Sequence, residues 1–441
     1  MPRVPSPPLF ADLLDSHLDK LGPEVAKNSY QEALTRSQRK HRHWHTARYI
    51  AKSTGVDPHV LWLGIKLGRL SSRLLLPLVG EHDTRLWYIS ADPIQREITR
   101  TDLELGGRIT INTDDTFTES ERDRFVIGSL MEEAIASSKL EGASTMHQVA
   151  KDMLRRNREP RDKHERMIFN NYRALQHIRE TNRQPLDEDY LIELQKLLTE
   201  GTLEREDEVG RLRRSDERIV VADAYGTVLH DPPHASTLTE RLRRLCDFAN
   251  QEPTRAEPYV HPLIRAAALH FQLAYDHPFC DGNGRTARIL FYWMMLRSGY
   301  WMFEFLPISR LIIESPGQYQ RAFQEVETDE FDLTYFLMYH ARLLARARSD
   351  LADYLARQRS EYVRAREQYS NADINDRQRS FLLKLSTDPG RQWTIAEYQS
   401  LQGVTNPTAR SDLLHLEELG YLDRRKVGKK FVFTPSADPP E

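Results

Sequence analysis

Residues 277–288 read His-Pro-Phe-Cys-Asp-Gly-Asn-Gly-Arg-Thr-Ala-Arg, and the fold can be read outward from them. A helix beginning near Pro262 is expected to stop at Pro278, which has no N–H to continue the ladder. A second helix is expected from Gly284 through Ile289, Leu290, Tyr292 and Met295. Between them, Gly282 and Gly284 permit positive φ and leave backbone amides uncovered. Such amides, with the first free N–H groups of the next helix, form an anion site. Arg285 and Arg288 lie three apart and should project from the same side of that helix's first turn. Two guanidinium groups there suit a chain of phosphates. Asp281 offers the hard oxygen that Mg²⁺ accepts, and His277 can take a proton from an attacking hydroxyl. Phe279 reads as a core anchor and Cys280 as a small neighbour. A phosphate cradle, a metal ligand and a base in one loop describe transfer of a phosphorus group.

Outward from the loop, the chain reads as all-α with a small β-hairpin. Helices are expected over Met146–Asn157, His164–Glu180, Asp187–Glu200, Gln318–Glu327 and from Leu333 to about Tyr369. Phe125, Ile127, Leu130, Ile135 and Leu140 suit a buried stripe. Ile219-Val220-Val221 and the turn residues Asp223–Gly226 predict a hairpin over about 217–230. Thr237 with Glu240 three residues on predicts a capping box. Four prolines in the first ten residues predict a poorly ordered lead-in. Beyond it, helical patterns around Pro23–Ile50 and Val60–Leu75 precede strand-like Leu86–Ser90 and Arg108–Asn112. The run His41-Arg-His-Trp-His45 invites a metal reading. Its i, i+2, i+4 spacing spreads the rings over different helix faces, so packing or solvation is the expectation.

Residues 376–386, 395–402 and 407–419 read as three short helices before a hairpin at 421–434. Thr405 and Pro407 start the third helix, and Arg424, Arg425, Lys426, Lys429 and Lys430 lie in the hairpin. That order resembles a winged helix-turn-helix domain. The expected divisions are 1–115, of unresolved role; 116–350, the catalytic domain; 351–372, a helical connector; and 373–441, the winged unit.

At 441 residues the chain exceeds one ordinary core. A formal charge of −3 gives no global pull toward nucleic acid or an anionic membrane, so such binding must come from a local patch. Cys246 and Cys280 are the only cysteines, which implies no disulfide framework and fits a reducing cytoplasm. No apolar run approaches the roughly 18 residues of a membrane span.

Residues 277–288 resemble the signature of the Fic family, His-x-Phe-x-(Asp/Glu)-Gly-Asn-Gly-Arg-x-x-Arg, at every fixed position. The likeness extends over roughly 120–345, including Ala266–His270 and Pro307-Ile-Ser-Arg310, and is weaker before 115. The resemblance implies His277 as general base and Asp281 as Mg²⁺ ligand. It implies Gly282, Asn283 and Gly284 as the anion hole for the α- and β-phosphates of ATP, with Arg285 toward the β- and Arg288 toward the γ-phosphate. It implies that AMP moves to a hydroxyl of a target protein, or of the chain itself, with release of pyrophosphate. Ser137-Ser-Lys-Leu-Glu141-Gly142 matches the family's inhibitory motif, (Ser/Thr)-x-x-x-Glu-(Gly/Asn), which would set Glu141 against Arg288. The hairpin at 217–230 resembles the flap that holds a target segment by strand addition.

Other readings remain at this stage. A metallohydrolase could use His261, His270, His277 and Asp281, though the arginines and glycines would then have no task. The same fold could transfer UMP, another nucleotide or phosphocholine, or remove AMP. The winged unit could bind DNA, although Asp412, Glu417 and Glu418 beside Arg410 dilute a basic face; protein docking or a homodimer are its other uses.

Overall fold

In the computed structural model the signature joins two helices that are buried in the main core. Residues 3–105, 119–222, 226–252, 258–368, 372–387, 392–427, 430–436 and 440 are described. In chain order, α1 spans Phe10–Val25, α2 Asn28–Gln38, α3 Trp44–Thr54 and α4 Pro58–Ser71. A two-stranded antiparallel sheet follows, β1 Leu74–Val79 with β2 Arg85–Tyr88, then α5 Asp92–Leu105. Next come α6 Glu119–Leu140, α7 His147–Arg155, α8 Lys163–Thr181 and α9 Glu188–Thr199. A hairpin pairs β3 Val221–Ala222 with β4 Val228–His230. After it run α10 Leu238–Asn250, α11 Pro262–Asp276, α12 Asn283–Arg297, α13 Ile308–Glu314, α14 Pro316–Thr328 and the long α15 Thr334–Gln368. The C-terminal part holds α16 Asp376–Thr387, β5 Trp393–Thr394, α17 Ile395–Gln402, α18 Asn406–Glu418, β6 Leu422–Val427 and β7 Lys430–Pro435. Its three strands form one antiparallel sheet in the order β5-β7-β6.

Helix α11 is buried almost all round, which its sequence permits. Pro262 fits the first turn and the His261 side chain accepts from the Leu263 N–H, capping the start. Ala266, Ala267 and Ala268 are fully buried and let neighbouring backbones approach. Helix α12 starts on Gly282 at φ 88° and packs against α11, with Ile289, Leu290, Phe291 and Trp293 in the main core. That core takes in β1, β2 and α5 as well as α6 and α8–α15. Helices α1–α4 close around a second cluster of Tyr30, Trp44, Leu61, Trp62 and Leu63, and α16–α18 with their sheet around a third.

Several expectations need correction. The lead-in is tied down: Val4 is buried and its N–H donates to Gln324. The helical pattern over Pro23–Ile50 is three helices, because the chain breaks after Val25 and again between Gln38 and Trp44. Leu74 and Leu75 open β1 instead of closing a helix. Residues 74–105, assigned by sequence to the N-terminal region, contribute Leu76, Leu86, Ile94 and Ile98 to the main core. In α6 Val126, Leu130 and Ile135 are among the buried positions and Leu140 is half-buried, whereas Ile127 is exposed, since a one-residue offset from Val126 turns it about 100° away. Thr237 makes no capping box: a short 3₁₀ turn at Ala235–Thr237 precedes α10, and Glu240 instead pairs with Arg243 and Arg244. The 351–372 connector begins inside α15. Arg108–Asn112, the hairpin tip at 223–225, and the side chains of Phe125, Lys429 and Lys430 lie outside the described residues.

The histidine run packs. His41 meets Asp332 at 2.7 Å, and His43 caps α3 by accepting from the His45 N–H. No helix among the described residues is long and apolar enough to cross a membrane.

Candidate active site

The loop between α11 and α12 is held by its own side chains. His277 ends α11 in the left-handed conformation, φ 48° and ψ 56°, and its N–H still reaches the Leu273 carbonyl. Asn283 then staples the turn: its Oδ1 accepts from the Phe279 N–H at 2.9 Å and its Nδ2 donates to the Phe279 carbonyl at 2.8 Å. What Asn283 can offer a phosphate is therefore its backbone. Phe279 is fully buried beneath the loop. Gly282 needs its positive φ, and a Cβ there would meet Thr199 at 2.9 Å. Gly284 is an ordinary helical residue, so its role differs from the positive φ expected of it. A Cβ at Gly284 would lie 2.2 Å from Glu141 Oε1, so glycine is required by close approach of a carboxylate.

That carboxylate comes from the end of α6. Glu141 Oε1 accepts from Arg288 Nη2 at 2.8 Å, while Ser137 takes Arg288 Nε on its hydroxyl at 2.8 Å and Nη2 on its carbonyl at 3.0 Å. Gly142, at φ 91°, turns the chain away immediately after. Burial works against the charge on Glu141, but Arg288, with Arg285 behind it, more than offsets this and holds the carboxyl below its ordinary range. Arg285 and Arg288 do not share a target, contrary to expectation. Arg285 is fully buried toward α9, donating to the Leu198 carbonyl at 2.8 Å and pairing with Asp281 at 3.3 Å. Arg288 reaches the opposite way, to α6, because long side chains three residues apart diverge from roots 60° apart.

Asp281 is half exposed at the rim, with Oδ1 taking the Gly282 N–H at 2.5 Å. A hard, oriented carboxylate oxygen beside the anion nest fits Mg²⁺. His277 Nδ1 lies 3.1 Å from the Ala274 carbonyl, which fixes the proton on Nδ1 and leaves Nε2 as acceptor. Burial lowers its pKa to about 4; the Ala274 carbonyl and Glu141 resist, while His230 and Arg213 add to the fall. The imidazole is thus a neutral base at pH 7. Cys280 is no nucleophile: burial and then Glu217, 3.4 Å away, push its thiol up to about 11.

Sequence reading missed two groups at this end of α11. Arg213 Nε donates to the His277 carbonyl at 2.8 Å, and its Nη2 to Asp276 and Pro233 carbonyls. His230, on β4, reaches the Tyr275 carbonyl at 2.7 Å. Neither belongs to a motif: His230 closes a stretch legible only as a hairpin, and Arg213 precedes it. Residue Glu133 was missed too: buried on α6, it takes the Ser309 N–H at 2.8 Å and the Tyr292 hydroxyl at 2.9 Å. The metallohydrolase set is dispersed, since His261 pairs with Asp102 at 3.0 Å and His270 with Tyr319 at 2.6 Å.

With this geometry in view, residues 185–295 match the sequence model of the Fic/DOC family. Protein adenylyltransferase Fic of Drosophila willistoni is 39% identical over 71 residues, 16% of this chain and 14% of that protein. Protein adenylyltransferase fic-1 of Caenorhabditis elegans is 34% identical over 111 residues, 25% of this chain and 20% of its own. The chain therefore spans a fifth or less of the length of these curated relatives. The crystal structure of a Fic family protein from Desulfovibrio desulfuricans G20 resembles this fold with a TM-score of 0.51 and 17% identity, covering 80% of this chain and 99% of that one.

Proposed function

From the premise that residues 185–295 form a Fic domain, we propose that this chain is a protein adenylyltransferase, restrained by Glu141. The observation that carries the reading is an anion already seated in the cradle. The Glu141 carboxylate lies over Gly284 and against Arg288, the place and partner suited to a phosphate. A target serine, threonine or tyrosine hydroxyl would lose its proton to His277 Nε2 as its oxygen attacks the α-phosphorus of ATP. The new O–P bond forms as the bond to the bridging oxygen breaks, and pyrophosphate leaves with the electron pair. Asp281 would hold Mg²⁺, which supplies charge neutralisation for the phosphates. The backbone N–H groups of Gly282–Gly284 would orient them, and Arg288 would take the γ-phosphate once Glu141 withdraws. With Glu141 in place that arginine is engaged, so ATP lies wrongly for in-line attack. The cytoplasm is the compartment that fits a chain of this cysteine content.

The test is labelled protein recovered after incubation with Mg²⁺ and α-labelled ATP. Glu141→Gly should label itself at least tenfold above the parent, and the added change His277→Ala should abolish the label. Label from another nucleotide but not ATP would change the donor; faster loss of label already attached would make the chain a remover of AMP. Glu141→Gly labelling no better than the parent overturns the autoinhibition.

A second reading has its own support. Asp412 on α18 is turned inward to Arg377 at 3.0 Å and Tyr398 at 3.0 Å, and Glu417 pairs with Arg424 at 3.0 Å. Two of the three acids that argued against a DNA-facing helix are thus paired within the unit, while Glu418 stays exposed, as do Arg410, Arg425 and Lys426. Duplex DNA retention that falls with salt and with Arg425→Glu/Lys426→Glu would establish it; unchanged retention would return the unit to protein docking.

A further inference from the structure

We infer that His230 acts as a charged clasp, an imidazolium that ties the flap strand β4 to the end of α11 and to α14 and so sets the height of the flap over His277. This rests on the transferase reading for its consequence, though not for its geometry. His230 is the strand residue paired with Val221, and its side chain turns inward from the hairpin. Its Nδ1 lies 3.0 Å from Glu327 Oε2 on α14, and its Nε2 lies 2.7 Å from the Tyr275 carbonyl oxygen on α11. Both partners are acceptors. A neutral imidazole has one donor and one lone pair, so it would satisfy one and set its lone pair against the other. A ring protonated on both nitrogens satisfies both.

The surroundings favour that charge. Tyr275 is in the last turn of α11, where carbonyl groups lack helical partners and the helix dipole attracts cations. The Tyr275 ring packs against the imidazole with centroids 4.8 Å apart. Around it stand Glu327 from α14, Asp276 and the Tyr275 hydroxyl from α11, His277 from the loop, and two arginines. Arg241 is paired with Asp276 at 2.5 Å, and Arg213 bonds the Asp276 and His277 carbonyls. Burial opposes a charge on His230, but Glu327, the Tyr275 carbonyl and Asp276 more than offset it, so its pKa is raised above the ordinary value. Its charge in turn helps to keep His277 neutral.

Two consequences follow for the flap. Protonated, His230 joins three elements: β4, α11 and α14. Deprotonated, it must release Glu327 or the carbonyl, so β4 keeps one of these two ties beside its short pairing with β3 and the buried Leu229 side chain. A target segment added to that strand would lose its fixed height above His277 Nε2. ATP, seated over Gly282–Gly284, would be less affected.

Hydrogen–deuterium exchange of the full chain, followed by mass spectrometry and corrected for intrinsic rates, reads the clasp without any activity. The amides of 219–222 and 228–231 should lose protection, by tenfold or more, as pH rises above neutrality. His230→Gln should show that loss at every pH and remove the pH dependence, and Glu327→Gln should move the transition to lower pH. Unchanged flap protection in His230→Gln overturns the inference. The consequence is read in the Glu141→Gly background with α-labelled ATP. His230→Gln should cut self-labelling about tenfold while the KM for ATP moves less than twofold. An equal loss in ATP affinity would assign His230 to general structure and overturn its positioning role. If Glu141→Gly labels nothing, the transferase reading fails while the exchange experiment still decides the clasp.

Discussion

His277 is a non-glycine residue in left-handed conformation directly before a proline, and this places its ring back over the last turn of its own helix. The fixed tautomer follows from that one backbone choice, while burial of the ring lowers its pKa against the opposing pull of the Ala274 carbonyl. A base is competent when unprotonated, so in the proposed transfer His277 would serve at all pH values above about 4, and falling pH would silence it only near that value. Self-labelling by the Glu141→Gly protein should therefore show no acid limb between about pH 5.5 and 7, where an ordinary histidine of pKa near 6.5 would impose one. A limb centred at 6.5 would mean that His277 is solvated in the working state. The residue types of this loop were legible in the sequence because the chemistry forces them. Asp281 and the loop glycines stand out in any reading, and Gly282 has the positive φ expected. Three details were not legible. Asn283 spends its side chain on the loop, Arg285 is buried against Leu198, and Gly284 is small because Glu141 approaches it. Each depends on a contact across 4 to 143 positions of sequence, which spacing alone cannot show.

At the scale of elements, the end of α6, the proposed plug, grips α12 through two residues. Glu141 supplies charge, and Ser137 supplies two acceptors for the same guanidinium. A hydrogen bond to a charged group contributes roughly 1.5–3 kcal/mol, so Ser137→Ala, which deletes one of them, should loosen the plug without removing it. Self-labelling should rise several-fold, less than in Glu141→Gly, with the fold unchanged by circular dichroism. No rise would assign the restraint to Glu141 alone. The match of Ser137–Gly142 to a motif was visible, and so was the helix carrying it. The hairpin was harder to read. Ile219 and Val220 promised a longer strand than the two residues that form β3, because β-branched composition measures fit to a half-buried sheet, and among the described residues β3 has one partner strand. Its anchors, Arg213 and His230, carry no pattern: they matter through carbonyl groups at the end of a helix 45 to 64 positions away.

For the whole molecule, the question is how the N-terminal helices are joined to the main core. The joint is ionic and buried. Lys66 on α4 meets Asp329 at 2.8 Å and Glu330 at 3.0 Å, Arg69 lies 3.5 Å from Asp329, and His41 meets Asp332 at 2.7 Å. Sequence showed these residues as scattered charges, and the prolines before them as slack chain, because nothing local marks a partner 263 positions away. Burying such groups costs several kcal/mol per ion, which their mutual contacts offset only while all are present. Lys66→Met therefore leaves Asp329 short of a cation, and should cost about 3–5 kcal/mol. Glu330→Ala removes a partner that is 44% exposed and should cost under about 1 kcal/mol. Urea unfolding followed by tryptophan fluorescence reports on this joint, since Trp62 lies in the N-terminal cluster and Trp87 beside Lys66. In Lys66→Met the curve should split, with the N-terminal helices melting first and α11 and α12 later. Acid should act in the same direction. Burial raises the carboxyl of Asp332, but His41 and Arg69 outweigh it and hold the group below the ordinary range. Its contribution is complete above the unfolded value near 4 and disappears as pH falls through the lower, folded value. A single unshifted transition in Lys66→Met would mean that the apolar contacts around the joint, not its charges, fasten the N-terminal helices to the core.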